Sequence, residues 1–120
     1  MKITKLDALF SRYVRLLADG RCGKCGKHVG YENLATAHFY GRIRHTVRWD
    51  IRNVVALCNP CHYWLDVNPL AKSSFMYEVL SKEEIRELNR IANLTTKDYP
   101  IDKEALVKKF REGIKRLWEE

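Results

Sequence analysis

Two Cys-x-x-Cys pairs constrain the fold of this chain more than any other pattern in it. The first pair is Cys22 and Cys25, the second is Cys58 and Cys61, and 32 residues (26–57) lie between them. Each spacing lets two thiolates point at one metal ion, and two such pairs complete the tetrahedral four-sulfur site that is typical of structural zinc. A pair of redox-active dithiols is the alternative, but that motif expects a thioredoxin-like βαβ pattern, which is absent. We therefore expect a Zn²⁺ ion that holds the fold and, because its coordination is closed, does no chemistry.

The rest of the composition is that of an ordinary globular domain. The chain has 120 residues, of which 46% are hydrophobic and 31% are charged, and this length fits one domain. Its uncharged stretches are much shorter than the roughly 18–20 apolar residues that a membrane span requires. The first residues also lack the apolar segment of a secretory signal. We expect a cytoplasmic protein that does not enter a membrane, and in that compartment paired cysteines bind metals more often than they form disulfides.

Hydrophobic periodicity divides the chain into a helical start, a mixed centre and a helical end. Apolar residues at three- and four-residue spacing predict an amphipathic helix near the N-terminus, which Thr4 and Asp7 begin with a capping box. Short apolar runs predict strands at 34–39 and 53–57, and Asn59-Pro60 predicts the start of a helix, with Asn59 as its N-cap. We therefore expect a single α+β domain with three parts: an N-terminal helix in residues 1–20, a zinc-stapled core in 21–68 and a helical tail in 69–120.

Three polar residues in the central segment are candidates for chemistry: His38, Asn53 and His62. Taken singly, each has an ordinary structural explanation, as a half-buried residue at a strand end, a turn residue and a helix-surface residue. Their order along the chain, together with the second cysteine pair, is more specific than any one of them.

This order resembles the HNH (ββα-metal) endonuclease family, in which a zinc-stapled hairpin and helix carry His, Asn and His in sequence. The residues that carry the resemblance are His38 in Ala-Thr-Ala-His-Phe, Asn53 in Arg-Asn-Val-Val-Ala-Leu-Cys, and His62 directly after Cys58-Asn-Pro-Cys61. Nine positions separate Asn53 from His62, as expected for a strand that runs into the metal-binding helix.

A closer resemblance covers nearly the whole chain. Residues 10–16 (Phe-Ser-Arg-Tyr-Val-Arg-Leu), the basic residues 44–50 (Arg-His-Thr-Val-Arg-Trp-Asp) and the helical tail are similar to the lambdoid phage NinG (Rap) recombination endonucleases. This resemblance implies a ββα-metal core that cleaves DNA with the help of a divalent cation.

The resemblance also implies a role for each polar residue. His38 would accept the proton of the attacking water, because an imidazole titrates near neutral pH. His62 would hold a catalytic Mg²⁺ or Mn²⁺ ion. Asp66, one helical turn later, is either a second ligand of that ion or a solvent-facing acid. Asn53 would fix the loop that aims the general base.

The sequence departs from the family at one position. Many HNH enzymes place Asp or His directly before the general-base histidine, where it helps to bind the catalytic metal, and this chain has Ala37 there. His45, Asp50 and Asp66 are candidates to complete the ligand set; otherwise the metal keeps extra waters.

Basic residues are concentrated in the segment between His38 and Asn53. The whole chain has 22 Lys and Arg against 15 Asp and Glu, a net charge of +7 that suits a polyanion such as nucleic acid. In an HNH fold this segment lies over the substrate path, where guanidinium groups bind phosphate oxygens without reading sequence; a solvated loop is the alternative. Tyr40 and Trp49 could stack on unpaired bases or belong to the core. The expected DNA-binding residues are Arg42, Arg44, His45, Arg48 and Arg52.

The expected function is therefore metal-dependent hydrolysis of DNA phosphodiester bonds in branched recombination intermediates, leaving 5′-phosphate and 3′-hydroxyl ends. The expected partner is DNA that is branched or partly single-stranded. A second copy of the chain is a further candidate, because cutting a junction often needs two active sites. Two alternatives remain open: a zinc-containing DNA-binding module without catalysis, and an interaction protein whose helical tail docks a recombination partner.

Overall fold

The computed structural model describes residues 2–119, which fold into five α-helices and a two-stranded antiparallel sheet. The predicted α+β class is confirmed. The elements, in chain order, are α1 (Lys5–Leu17), β1 (Leu34–His38), β2 (Val54–Cys58), α2 (Asn59–Asp66), α3 (Pro69–Val79), α4 (Lys82–Ala92) and α5 (Lys103–Glu119).

Helix α1 begins as its sequence predicts. The Thr4 hydroxyl accepts a hydrogen bond from the Asp7 backbone N–H, and the Asp7 carboxylate accepts one from the Thr4 backbone N–H. This reciprocal capping box satisfies two of the backbone donors that a helix start leaves free. The face that carries Leu6, Phe10 and Val14 is buried in the main core.

The two strands pair from Leu34 opposite Cys58 to His38 opposite Val54. Cys58 therefore lies at one end of the hairpin and His38 at the other, about 13 Å apart along the strands at about 3.3 Å per residue. Helix α2 begins directly after β2 and packs against both strands. Its N-cap is Cys58 and not Asn59 as predicted, because the strand runs to Cys58 and the chain turns into the helix without an intervening residue.

The last helix of the tail packs against the first helix of the chain. Helix α5 packs along α1, where the Phe110 ring lies 5.0 Å from the Phe10 ring and 5.4 Å from the Tyr13 ring, centroid to centroid. The contact requires a residue without a side chain at Gly113, since a Cβ there would lie 2.4 Å from the Tyr13 ring. Helix α4 begins with the predicted capping box of Ser81 and Glu84. No helix within residues 2–119 combines the length and apolar character needed to cross a membrane.

The segment from 40 to 50 has no helix or strand, as predicted, but it is fixed to its surroundings. Phe39, predicted as the last residue of the first strand, lies just after β1. The Thr46 hydroxyl donates a hydrogen bond to the Ile91 carbonyl near the end of α4, and the Arg44 side chain donates one to the Ala92 carbonyl. Val47 is fully buried in a small core that it shares with α3 and α4. This loop crosses the end of the hairpin that carries His38.

Candidate metal centre and active site

The four cysteines meet in one cluster. The sulfur atoms of Cys22, Cys25, Cys58 and Cys61 all lie within 4.8 Å of one another, so the cluster could hold one metal ion such as zinc. It is the one group of three or more cysteine, histidine or acidic side chains within residues 2–119 that is close enough to do so. The predicted convergence of the two Cys-x-x-Cys pairs is confirmed, and the expected tetrahedral four-sulfur site fits it.

The first cysteine pair lies on a tight turn that is fastened to the sheet. The backbone N–H groups of Lys24 and Cys25 point at the Cys22 sulfur, at 3.4 and 3.5 Å. The Gly23 N–H donates a hydrogen bond of 2.8 Å to the Ala56 carbonyl of β2. A side chain at Gly23 would clash, because its Cβ would lie 2.6 Å from a methyl carbon of Val55. The glycine therefore lets the turn approach the strand that delivers Cys58.

The pKa values of Cys22 and Cys61 indicate that four thiolates would repel one another unless a cation lies between them. Burial opposes ionisation of Cys22, but hydrogen bonds from surrounding backbone N–H groups outweigh it and lower its pKa to about 6. Burial, hydrogen bonds with the other three thiols and the negative charge of Cys22 raise the pKa of Cys61 to about 12. One thiolate thus forms readily and makes the last one unfavourable, which a divalent ion would offset.

The ring of His38 is held by one hydrogen bond from the loop. Its Nε2 lies 3.0 Å from the backbone carbonyl oxygen of Arg48. A carbonyl can only accept, so the proton of the neutral ring is on Nε2 and the Nδ1 lone pair is free to accept a proton. Burial is the largest influence on His38 and lowers its pKa, with the nearby charges of Arg42 and Lys72 acting in the same direction; the Arg48 carbonyl and the Asp7 charge oppose the decrease.

The side chain of Asn53 holds the loop that contains Arg48. Its side chain is fully buried. It accepts a hydrogen bond from the Tyr40 N–H (2.8 Å) and donates to the carbonyls of Tyr40 (2.9 Å) and Val47 (3.0 Å). Both ends of the segment 40–47 are thus fastened to one amide group. The loop in turn presents the Arg48 carbonyl to His38.

The side chain of Arg48 does not lie on the surface, where its predicted contact with DNA would require it. It is buried, with 4% of its surface exposed, and its guanidinium donates to both carboxylate oxygens of Asp7 on α1. Asp7 also accepts from the indole N–H of Trp49. Arg48 was predicted to contact DNA, but its hydrogen bonds are used inside the core, and so is the ring of Trp49, which was a candidate for base stacking.

The other predicted DNA-binding residues differ in whether their side chains already form hydrogen bonds or ion pairs within the protein. Arg52 forms a two-point ion pair with Asp50, and Arg44 caps α4 through Ala92 and Asn93. Asp50 is thus engaged with Arg52, which leaves it poorly suited to complete a metal site. The exposed side chain of His45 has no hydrogen bond or ion pair with any described residue, and Arg42 is half-buried.

The two predicted ligands of the catalytic cation, His62 and Asp66, lie next to each other on α2. Nε2 of His62 lies 3.5 Å from a carboxylate oxygen of Asp66, one turn later on α2. No third histidine, cysteine or acidic side chain joins them among the described residues. Ala37 is buried in the core, so no ligand comes from the position before His38. Mg²⁺ commonly keeps several waters and takes few protein ligands, so an ion bound by these two donors alone would have water in its other positions.

Comparison with known proteins found no matching family model, no matching curated protein and no matching solved structure.

Proposed function

We propose that this chain is a metal-dependent DNA endonuclease of the HNH (ββα-metal) type, in which His38 is the general base. The observation that carries the proposal is the hydrogen bond between His38 Nε2 and the Arg48 carbonyl. It orients the ring and leaves Nδ1 as the free base. The lowered pKa of His38 keeps that base unprotonated at neutral pH, which general-base catalysis requires.

Two further features support this family. A two-stranded hairpin runs directly into a helix that packs across it, and this is the arrangement that the name ββα describes. Asn53 binds both ends of the loop whose carbonyl holds His38. It would act as a positioning residue, since it holds the loop without touching the substrate.

The proposed reaction is hydrolysis at phosphorus. An oxygen atom of water forms a new bond to phosphorus while the bond to the 3′ oxygen breaks, which leaves a 5′-phosphate and a 3′-hydroxyl. His38 Nδ1 takes the proton of the attacking water, and the departing 3′ oxygen takes a proton from solvent. His62 and Asp66 would hold Mg²⁺ or Mn²⁺, which supplies positive charge against the phosphate oxygens when bound.

The four-cysteine cluster would hold Zn²⁺ with a structural role, since four sulfur ligands leave no open position. By the same resemblance, the substrate would be branched recombination intermediates with single-stranded character. A second copy of the chain would provide the second cut of a junction. The place of action would be the cytoplasm, that of the host if the chain is phage-encoded.

A zinc-containing DNA-binding module without catalysis is the second candidate. Ala37 favours it, because the chain lacks the acid or histidine that many HNH enzymes have before the base. The two-donor site of His62 and Asp66 favours it as well.

A nicking assay separates the two functions. Zinc-loaded protein is incubated with supercoiled plasmid and with a synthetic four-way junction, with and without Mg²⁺ or Mn²⁺. We expect cation-dependent nicking that His38→Ala abolishes and His28→Ala, a change at an exposed histidine beside the first cysteine pair, leaves intact. DNA binding that persists in His38→Ala would show that this variant still folds. Binding without cleavage by the unmodified chain would favour the binding module.

A further inference from the structure

Two cationic side chains near His38 have no acidic partner among the residues that the structure describes. Arg42 lies in the loop after β1, and Lys72 lies on α3; both are half-buried. The Nε atom of Arg42 is inaccessible to solvent and has no hydrogen-bond partner among residues 2–119. Within the same part of the chain, neither side chain takes part in an ion pair. Buried donors usually have partners, because leaving one unsatisfied costs free energy.

The fold brings these residues to the same end of the hairpin from different elements. Lys72 precedes Phe75 and Met76 by about one turn of α3, so it shares the face of the helix that these buried residues turn inward. The Phe75 ring lies 6.3 Å from the ring of Phe39, which directly follows His38 in the chain. The face of α3 that carries Lys72 therefore meets the end of β1.

The electrostatics agree with this placement. The positive charges of both Arg42 and Lys72 lower the pKa of His38, so both act on its ring. The charge of Asp7 acts in the opposite direction, but its carboxylate is already bonded to Arg48 and Trp49. A bound anion would offset the repulsion among these cations.

We propose that Arg42 and Lys72 form a phosphate-binding site next to His38, which holds the scissile phosphodiester. This inference rests on the proposed nuclease function and adds Lys72, a residue of the helical tail, to the site. A guanidinium can bind two phosphate oxygens at once, and an ammonium adds a point charge. The site would place positive charge at the scissile phosphate in addition to that of a cation held by His62 and Asp66.

The test measures anion binding directly. In the zinc-loaded full chain, the ring C–H signals of the four histidines are followed by NMR while inorganic phosphate or a dinucleoside monophosphate is added at constant ionic strength. We expect a saturable shift of the His38 signals and a higher pKa for His38 in the bound state.

Lys72→Gln and Arg42→Gln should each weaken the binding about tenfold, the scale of one charge-assisted hydrogen bond, and Lys72→Arg should retain it. Lys108→Gln and Arg111→Gln, exposed positions on α5, are the matched controls.

The outcomes keep this inference apart from the nuclease proposal. His38 signals that do not respond to either anion, or equal weakening in Lys72→Gln and the control variants, would overturn the phosphate site even if the protein nicks DNA. A saturable response that requires Arg42 and Lys72 would support the site even if no cleavage is found. Lys72 is partly exposed, and its side chain has no hydrogen bond with any residue that the structure describes, so its variant tests the site if Arg42→Gln fails to fold.

Discussion

Replacing Asp7 by Asn should strongly destabilise the protein, because its carboxylate holds together parts of the chain that are far apart in sequence. It accepts two hydrogen bonds from Arg48 and one from Trp49, 41 and 42 residues away. The side chains of Asp7 and Arg48 are each 5% exposed. An amide in place of the carboxylate removes the negative charge and turns an N–H₂ group towards donors.

The expected loss is large because Arg48 would keep its charge. Breaking a buried ion pair from one side costs about 3–5 kcal/mol, most of it from the unpaired charge that remains. For a chain of this length, that corresponds to a decrease in Tm of about 12–20 °C. Replacing both partners, with Asp7→Leu and Arg48→Met together, should recover much of the loss, because neither charge is then buried.

The assay is urea unfolding of the zinc-loaded protein, followed by tryptophan fluorescence. Glu87→Gln is the matched control: it also converts a carboxylate that binds arginine into an amide, but Glu87 and Arg90 are exposed, and water screens such a pair. Its unfolding midpoint should hardly move. If Asp7→Asn shifts the midpoint no more than Glu87→Gln does, the buried pair does not stabilise this fold as argued.

The pH dependence gives a second check on the same reasoning. Burial would raise the pKa of Asp7, but the hydrogen bonds and charge of Arg48 and the hydrogen bonds from Thr4 outweigh it and hold the pKa below the ordinary value of 3.8. The stabilisation is therefore fully present above about pH 4 and is lost only as the pH falls towards the lowered pKa. The difference in stability between the unmodified chain and Asp7→Asn should be constant from pH 6 to 8. A difference that changed near pH 6 would instead implicate a histidine.

Four further predictions test the metal centre and the active site. Cys58→Ser should abolish binding of one zinc per chain, measured by metal analysis, and with it cooperative unfolding, because metal binding is coupled to folding. Gly23→Ala should weaken zinc retention against a chelator because its Cβ would strike Val55, whereas Gly41→Ala, with open space around it, should not. Asn53→Ala should cost about 3 kcal/mol in urea unfolding, because it leaves unsatisfied the buried Val47 carbonyl and the partly buried N–H and carbonyl of Tyr40. The value of kcat/KM for nicking, which reports the free enzyme, should rise with pH to a plateau, with a midpoint below the ordinary histidine value of 6.5, since only unprotonated His38 accepts a proton; a midpoint of kcat/KM at or above that value would contradict the pKa argument.

Local sequence rules predicted the features that depend on nearby residues. Both capping boxes formed as expected because each involves residues three positions apart. The cysteine cluster was predictable because Cys-x-x-Cys turns converge only where a metal or a core unites them. The loop from 40 to 50 was also predicted correctly, since it lacks a helical or strand period.

The features that the sequence did not predict depend on distant partners. Arg48 lies in a basic segment, and no neighbouring residue indicates that its acidic partner, Asp7, lies on α1. One signal was present: Asp7 shares a helical face with Phe10 and Val14, and an acid on an apolar face requires a buried partner. Lys72 had no such signal, because α3 has apolar residues on all sides and its buried face cannot be read from periodicity.

The orientation of His38 is therefore a property of the whole chain and not of the hairpin alone. The carbonyl that holds its ring belongs to Arg48, whose side chain is bonded to α1, while Thr46, two residues earlier, is bonded to α4. A loop without regular structure can position a base only if such contacts remove its freedom, and here they come from a helix before the loop and a helix after it in the sequence. Asp7→Asn should for this reason reduce nicking more than DNA binding, even at temperatures where the variant remains folded. Equal losses of nicking and binding would indicate that α1 supports the fold but not the position of His38.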